Sequence, residues 1–370
     1  MPWRERFLKV FGPGLLPGIT LGDWLRLLRD NRFRVAPSCW PRAASITWQA
    51  SLNSVARIWE ERRFGPTIEQ TQVEPPLFIL GHWRSGTTWL HDLVTLDRRF
   101  AAPTTYQTMQ PHTFLTTERA GARIYRWISP SRRAQDNMRL DPDSAWEDEF
   151  VMCVCGFRTP YLSWAFLKRA DHYDKYLTFR EAPPEALDQW RSVLMWYLKK
   201  LALKHNKPLV LKSPTHTARI RILLEMFPEA RFIHIRRHPY AVFQSTLHTH
   251  EKVIPLCRLQ RANPGQWTEW VLRHYREMYD AYFEERQLVP AGRLVELSFE
   301  QLEADPVSAV RSIYEELGLP SFTAAEPAVR AYVAATTAYQ KNEFRPLEPA
   351  LRQRVAHEWR RNFEAWGYAA

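Results

Sequence analysis

The chain has 370 residues, of which 45% are hydrophobic and 13% aromatic. This composition excludes an intrinsically disordered chain and allows one large α/β domain or two smaller ones. The 51 basic and 40 acidic residues give a formal net charge of +11. Such a charge favours an anionic partner, for example nucleic acid, a membrane surface, or a phosphorylated or sulfated small molecule.

Residues 1–70 carry no motif, and we expect them to form a helical extension packed on the core. Prolines and glycines interrupt the first 20 residues, so neither a signal peptide nor a membrane span is predicted. Two interpretations of this segment stay open: a segment folded onto the domain, which we favour, or a loose contact with a membrane surface. We predict a cytoplasmic protein, with peripheral membrane contact left open. The residues that would make that contact are Phe7, Leu8, Phe11, Leu15 and Leu16.

The most informative segment is LFILGHWRSGTT, residues 77–88. Its pattern predicts a short buried strand, a loop framed by Gly81 and Gly86, and the start of a helix. This arrangement presents backbone N–H groups and a positive dipole end to a phosphate. The spacing of the two glycines matches the phosphate loop of ATPases, but Thr87 stands where that loop has its lysine. An arginine, Arg84, lies inside the loop instead.

The remaining chain predicts an alternation of strands and helices. Residues 97–180 are irregular in pattern, with a loop at 101–115 and a helix start in SAWEDEF, and a strong helix follows over 182–205. Further strands are predicted at 208–212, 231–235 and 293–297, separated by helices. Because apolar strands that alternate with helices are typical of a parallel sheet covered on both faces, we assign residues 71–370 to one α/β domain.

Polar side chains follow three of these strands, and ligands of such sheets bind at the carboxyl ends of the strands. The groups include an arginine or a lysine at each end together with hydroxyls, which predicts a site for a molecule with several negative charges. They are Arg84, Ser85, Gly86, Thr87 and Thr88 after the first strand, Lys212, Ser213 and Thr215 after the second, and Arg236, Arg237 and Ser245 after the third.

These segments resemble sulfotransferases that use 3′-phosphoadenosine 5′-phosphosulfate (PAPS). GHWRSGTTW resembles the family's 5′-phosphosulfate loop, and RRHPYAVFQS is similar to its 3′-phosphate-binding element. LVLKSPTH followed by MFPEARFIHIRR resembles the Lys-x-Pro segment of the bacterial and protein-tyrosine branches, which also share the loop arginine. The resemblance runs from about residue 75 to the end. It implies a P-loop-like three-layer fold with a central, mainly parallel sheet flanked by helices, and PAPS as co-substrate.

The resemblance also implies roles for individual residues. Arg84 would reach the bridging oxygen or the sulfonate, where charge grows as the bond breaks. Lys212 would place a second cation on the transferred group. The residues that would hold the 5′-phosphate are Ser85, Gly86, Thr87 and Thr88, those that would hold the 3′-phosphate are Arg237 and Ser245, and Lys341 would close over the nucleotide.

The sequence offers more than one candidate for the general base. A glutamate after the loop helix occupies this place in the protein-tyrosine branch, but the matching stretch here, APTTY, contains no acid. A base must be a histidine or a carboxylate within reach of the acceptor. The candidates are His112 and the acids of SAWEDEF, which are Glu147, Asp148 and Glu149. Glu147 and His112 rank first, and the pattern does not separate them. No metal is expected, because sulfuryl transfer needs no bridging of phosphates and the His248-x-His250-Glu251 spacing fits no common site.

The predicted function is transfer of a sulfuryl group from PAPS to a hydroxyl or amine of an unidentified acceptor, which could be a small molecule, lipid, glycan or peptide. A P-loop kinase or NTPase is one alternative, although Thr87 replaces its lysine. A basic nucleotide- or nucleic-acid-binding protein is the other. It would spread its basic residues along an exposed face, whereas here they gather at strand ends, so we expect no nucleic-acid partner.

Overall fold

A computed structural model of the chain describes residues 3–129, 132, 133, 135, 136, 138, 140–261, 265–336 and 342–370. Its strands are β1 Leu77–Leu80, β2 Val210–Lys212, β3 Arg231–Arg236 and β4 Leu294–Ser298. The α-helices in chain order are α1 Trp3–Phe11, α2 Leu21–Asp30, α3 Trp40–Gln70, α4 Thr87–Thr95, α5 Thr105–Met109, α6 Phe114–Ile128, α7 Glu149–Cys155, α8 Ala170–Asp174, α9 Pro184–His205, α10 Ile220–Met226, α11 Pro239–Cys257, α12 Gln266–Glu285, α13 Phe299–Ala304, α14 Pro306–Glu316, α15 Glu326–Thr336, α16 Pro349–Glu358 and α17 Arg360–Trp366. The four predicted strands are confirmed.

The chain divides into two compact units. The first, here called the helical unit, comprises Met1–Val73, Pro103–Asn206 and Glu251–Asn263. The second, the sheet unit, comprises Glu74–Ala102, Lys207–His250 and Pro264–Ala370. The domain division predicted at residue 70 stays a prediction. Residues 1–70 belong to the helical unit together with Pro103–Asn206 and Glu251–Asn263.

The helical unit is built around α3, against which α1, α2 and α9 pack. A buried ion pair joins two of these helices: the ammonium of Lys200 on α9 lies 2.6 Å from the carboxylate of Glu60 on α3. Lys200 also donates to the backbone carbonyl of Pro111, and the backbone N–H of Thr116 donates to Glu60 at 2.9 Å. Both charges are thereby paired and hydrogen-bonded, which is the condition for burying them.

The prediction of an irregular region over residues 97–180 is wrong in part, because the region contains α5, α6, α7 and α8. The predicted loop over 101–115 includes α5, which begins with a capping box in which Thr104 and Gln107 bond each other's backbone N–H. Helix α6 pairs an apolar side with a strongly basic one. The helix start predicted in SAWEDEF is confirmed by α7.

The sheet unit contains a four-stranded parallel sheet with the order β2-β1-β3-β4. Strand β1 therefore lies between β2 and β3, and the carboxyl ends of these three strands are adjacent. On one face, Ile79 and Ile233 share an apolar cluster with residues of α4 and α14. On the other face, the ring of His234 stacks on Tyr282 of α12 with 4.1 Å between ring centroids. Helices on both faces give the three layers predicted from the sequence.

Candidate active site

The loop between β1 and α4 has a shape that only glycine permits at two positions. Gly81 has φ +143°, and a Cβ there would lie 2.5 Å from the carbonyl oxygen of Ile235. Gly86 has φ +100°, and a Cβ there would overlap the ring of Phe299. Both conformations are rare for residues with a side chain, and both leave no room for one. The glycine frame seen in the sequence therefore sets the path of the loop.

Hydrogen bonds inside the sheet unit hold the loop in place. The buried hydroxyl of Ser85 donates to the carbonyl of His82 at 2.7 Å, and the backbone N–H of Ser85 donates to the same carbonyl at 3.1 Å. The backbone N–H of Gly81 donates to the hydroxyl of Thr217 at 2.7 Å, which ties the loop to the segment after β2. The side chain of Ser85 is thus part of the support of the loop.

Helix α4 begins at Thr87, directly after Gly86. The first intrahelical bond runs from the N–H of Leu90 to the carbonyl of Gly86 at 3.1 Å. The N–H groups of the first turn, those of Thr87 to Trp89, have no partner within a helix, and together with the helix dipole they favour an anion. Beside them, the ammonium of Lys212 lies 3.5 Å from the hydroxyl of Thr88. Lys212 is 2% exposed, so this cation is held in a largely desolvated place.

Two arginines and a serine meet on the other side of the loop. Arg84 has φ +70°, a left-handed conformation that is uncommon for residues other than glycine. Its Nε–H donates to the hydroxyl of Ser245 on α11 at 2.9 Å. Arg237, which follows β3, donates to the backbone carbonyl of Arg84 at 3.2 Å. The guanidinium of Arg237 also lies over the ring of Phe299, 4.4 Å from its centroid, so packing fixes its orientation.

The structure brings together most of the residues that the sequence singled out. Arg84, Lys212 and the residues of the loop end meet at the carboxyl ends of β1, β2 and β3, together with Arg237 and Ser245. The predicted role of each residue stays a prediction. Lys341 lies outside the described residues.

The two candidate bases lie in the helical unit. His112 is 7% exposed; burial, together with the nearby cations Arg57 and Lys200, lowers the pKa of His112 to about 3. The imidazole is therefore neutral at physiological pH and a weak base. Glu147 is partly exposed, and its carboxylate accepts a hydrogen bond from the hydroxyl of Tyr161 at 2.6 Å.

Sequence reasoning missed three residues that support the loop: His82, Thr217 and Phe299. His82 is fully buried, and its backbone N–H donates to the hydroxyl of Tyr279 on α12 at 3.3 Å. Thr217 lies just beyond the LVLKSPTH segment, and Phe299 begins α13 directly after the predicted strand β4. Their position beside recognised segments was a signal, but only the folded chain shows which groups they contact.

No group of three or more histidine, cysteine or acidic side chains that could hold a metal ion occurs among the residues that the structure describes. Over the same residues, no helix is long and apolar enough to cross a membrane.

Comparison with known proteins identifies the family. Residues 75–324 match the model of the sulfotransferase family. The omega-hydroxy-beta-dihydromenaquinone-9 sulfotransferases Stf3 of Mycobacterium bovis and Mycobacterium tuberculosis are each 37% identical to the chain over 99% of its length and 93% of theirs. The chain belongs to the sulfotransferase family, and it is a transferase enzyme. The predicted sulfotransferase function is confirmed, and the kinase and nucleic-acid-binding alternatives are not.

Solved structures agree on the fold. The crystal structure of sulfotransferase STF9 from Mycobacterium avium superposes with a TM-score of 0.71 at 19% identity, covering 93% of this chain and 91% of that one. Sulfotransferase STF1 from Mycobacterium tuberculosis gives a TM-score of 0.59 at 15% identity, with coverages of 91% and 92%. The predicted P-loop-like α/β fold is thereby confirmed.

Proposed function

We propose that the chain transfers a sulfuryl group from PAPS to a hydroxyl group of an apolar acceptor. One observation carries the proposal: Arg84, Arg237 and Ser245 form one hydrogen-bonded group beside the amino terminus of α4, with Lys212 next to Thr88. PAPS carries a phosphosulfate and a separate 3′-phosphate. A site with cations on both sides of a helix terminus suits a ligand with two separate anionic groups.

The two phosphates of the donor have different proposed partners. The backbone N–H groups of Gly86, Thr87 and Thr88 at the terminus of α4, with the two threonine hydroxyls, bind the 5′-phosphate. Ser85, also predicted to bind it, donates both its N–H and its hydroxyl to the carbonyl of His82 and supports the loop instead. Arg237 and Ser245 bind the 3′-phosphate, which distinguishes PAPS from ATP. The proposal that Lys341 closes over the nucleotide rests on the family resemblance alone.

The chemistry proposed is an in-line transfer. The acceptor oxygen attacks sulfur, the bond between sulfur and the 5′-phosphate oxygen breaks, and its electron pair stays on that oxygen. Arg84 and Lys212 stabilise the negative charge that develops there, in a place where burial strengthens the attraction. The proton of the acceptor hydroxyl passes to a base of the enzyme.

Glu147 is the base that we propose first. The hydroxyl of Tyr161 donates to one carboxylate oxygen of Glu147, and an ionised carboxylate only accepts, at two oxygens with several lone pairs. His112 ranks second because its pKa of about 3 makes it a poor proton acceptor. A Glu147→Gln variant should lower kcat at least about a hundredfold without changing nucleotide affinity, whereas His112→Asn should change kcat little. A large fall of kcat in His112→Asn, with little change in Glu147→Gln, would make His112 the base instead.

The acceptor proposal draws on the relatives. Proteins named as omega-hydroxy-beta-dihydromenaquinone-9 sulfotransferases match the chain along almost its whole length. We therefore propose the terminal hydroxyl of an isoprenoid quinone, or of a similar long apolar alcohol, as the acceptor. The proposed location is cytoplasmic. The chemistry sets no requirement on the oligomeric state of the chain.

Contact of the N-terminal segment with a membrane is part of the proposal, but through fewer residues than the five named from the sequence. Leu15 and Leu16 are buried in the helical unit at 1% and 2% exposure, so they cannot reach a membrane. Phe7 and Phe11 of α1 are exposed, with 5.2 Å between their ring centroids. Leu8 is partly buried, so the two exposed rings are the proposed contact.

A transfer assay tests the proposed function. The enzyme is incubated with PAPS carrying labelled sulfur and one of three acceptors: an omega-hydroxylated menaquinone, the same menaquinone without the hydroxyl, or a short water-soluble alcohol. We expect label on the hydroxylated lipid only. Label on a water-soluble alcohol but not on the lipid would overturn the acceptor, and label on neither, with no binding of adenosine 3′,5′-bisphosphate, would overturn the donor.

A further inference from the structure

One side of helix α3 is apolar and open to solvent. Six of its large hydrophobic side chains are each more than half exposed. Folded proteins usually bury side chains of this kind, and a group of them on one surface marks an interaction site. We call them the α3 apolar face: Trp40 (63% exposed), Trp48 (68%), Leu52 (54%), Val55 (71%), Ile58 (51%) and Trp59 (56%).

Helix geometry places all six on the same side. With 3.6 residues per turn, their positions fall within about 120° of the helix circumference and extend along about 30 Å of the axis. The other residues of this arc between its two end tryptophans are Pro41, Ala44 and Ser51, so the arc carries no charge. The opposite side of α3 is buried in the helical unit through Ile46 and Ala50. Helix α3 is therefore apolar on two sides, and its own unit covers only one of them.

Exposed basic residues are frequent in the segments next to this face in the sequence. Between residues 21 and 63, the exposed basic residues outnumber the exposed acidic ones, and each exposed acid lies within ion-pair distance of an arginine: Asp30 of Arg29, and Glu61 of Arg57. The exposed arginines are Arg26, Arg29, Arg32, Arg34, Arg62 and Arg63.

We propose that the α3 apolar face docks onto the surface of a lipid bilayer that contains anionic lipids. Tryptophan side chains combine a large apolar ring with an N–H donor and accumulate at membrane interfaces. Arg62 and Arg63 are exposed and follow Trp59 on the same helix, where Arg62 continues the arc of the apolar face. They match anionic headgroups, as in helices that lie in the plane of a membrane. A second copy of the chain is the alternative occupant, and the measurements below separate the two.

This surface consists of side chains of α3 alone and does not include the N-terminal rings considered above. Docking through α3 does not depend on the identity of the acceptor. If the proposed lipid acceptor is correct, the same docking would hold the enzyme at the bilayer in which that acceptor dissolves, and this consequence rests on the proposed function.

Sedimentation with vesicles tests the proposal on the full chain. Wild type is mixed with vesicles of phosphatidylcholine alone and of an equal mixture of phosphatidylcholine and phosphatidylglycerol. We expect wild type to bind the anionic vesicles, and a Trp48→Ser/Val55→Ser/Trp59→Ser variant to bind them at least about tenfold more weakly. A Leu288→Ser variant, which removes an exposed leucine of the sheet unit that is 43% exposed, should bind as wild type does.

Charge reversal provides a second, independent variant that leaves the apolar side chains in place. Arg62→Glu/Arg63→Glu should weaken binding to anionic vesicles about tenfold, whereas Arg360→Glu, at an exposed arginine of α17, should have little effect. Thermal unfolding and adenosine 3′,5′-bisphosphate binding of every variant report on the fold and on the donor site, so a failure of docking is distinct from a failure of the proposed function.

The proposal is overturned if wild type does not bind the anionic vesicles, or if both sets of variants bind as strongly as wild type. It is also overturned in favour of a second copy if wild type is a dimer in solution, the serine variant is a monomer, and neither binds vesicles. Should the serine variant not fold, the charge-reversal pair and its control decide the outcome.

Discussion

The Nε–H of Arg84 donates a hydrogen bond of 2.9 Å to the hydroxyl of Ser245, 161 positions later in the chain. The family resemblance gave these two residues to opposite ends of the donor, Arg84 to the sulfonate and Ser245 to the 3′-phosphate. Because the two side chains touch, the proposed binding groups for the two ends of the nucleotide are coupled. A change at one of them should be felt at the other.

Nucleotide affinity should depend most on Arg237. An Arg237→Ala variant loses a guanidinium proposed to bind the 3′-phosphate, and a charge-assisted hydrogen bond contributes about 1.5–3 kcal/mol. We expect the Kd for adenosine 3′,5′-bisphosphate to rise about tenfold to a hundredfold, measured by calorimetric titration. Arg360→Ala serves as the control, because Arg360 is exposed and pairs with Glu364 at 2.6 Å. An unchanged Kd in Arg237→Ala would remove this residue from the site.

The rate of transfer should depend most on Arg84. An Arg84→Ala variant removes a cation from the charge that develops in the transition state, so kcat should fall at least about a hundredfold. Nucleotide affinity should change less than about fivefold. Steady-state kinetics and titration with the product nucleotide give the two numbers. A large loss of affinity with an unchanged kcat would assign Arg84 to ground-state binding instead.

The coupling between Arg84 and Ser245 is measurable by a double-mutant cycle. Nucleotide affinity is compared in Arg84→Ala, Ser245→Ala and the double variant. We expect the effects not to add, with a coupling free energy of about 0.5–2 kcal/mol, because the two residues are in contact. Additive effects would mean that their hydrogen bond plays no part in nucleotide binding.

Lys212 should act on the rate as well. A Lys212→Met variant keeps most of the volume of a side chain that is 2% exposed but removes its charge. We expect kcat to fall about tenfold to a thousandfold while the fold is kept, as judged by thermal unfolding. The control is Lys207→Met, at an exposed lysine before β2, and its kcat should match that of wild type.

The loop should not tolerate a side chain at position 86. Gly86→Ala would force an alanine to φ +100° and against the ring of Phe299, which should cost about 1–3 kcal/mol of the free energy of unfolding. Gly22→Ala is the matched control, because a Cβ at Gly22 would meet no atom within 4 Å. Its stability should be equal to wild type or slightly higher. Urea unfolding of both variants measures the difference.

Stability should fall in mild acid because of buried histidines. Burial lowers the pKa of His250 to about 3, and its ring lies 4.7 Å from that of Trp270. The unfolded chain binds a proton near pH 6.5 and the folded chain does not, so the stability that this group contributes is fully present above about pH 6.5 and is lost as the pH falls towards about 3. At about pH 5 the loss is about 2 kcal/mol for one such histidine.

A His250→Phe variant should therefore lose about 2 kcal/mol less than wild type when the pH is lowered from about 7 to about 5. Urea unfolding at the two pH values provides the measurement. His357→Phe, at an exposed histidine of α16, should keep the pH dependence of wild type. An equal loss in His250→Phe and wild type would show that His250 does not contribute.

The sequence was sufficient for the parts of the fold that depend on local pattern. Three signals of this kind are the apolar run of β1, the glycines at 81 and 86, and the basic residues after each strand. In the structure, β1 is a strand of one parallel sheet, and the other two groups follow the carboxyl ends of its strands. Arg84 and Ser245 could be assigned to the same site because parallel strands end at the same edge.

Contacts between distant segments could not be obtained in this way. The ring of Phe299 restricts Gly86 and orients Arg237, and the hydroxyl of Thr217 holds Gly81. None of these pairings has a periodicity or spacing in the sequence. Helix α5 was missed because it has five residues and begins with a capping box rather than an apolar repeat.

Binding of adenosine 3′,5′-bisphosphate, measured by calorimetric titration beside ATP with magnesium, tests the central claim most directly. We expect the bisphosphate to bind wild type at least about a hundredfold more tightly than ATP with magnesium, and Arg237→Ala to lose most of that preference. Tighter binding of ATP with magnesium, or an equal preference in wild type and Arg237→Ala, would contradict the assignment of a PAPS site to the loop at residues 81–88 and its neighbouring strand ends.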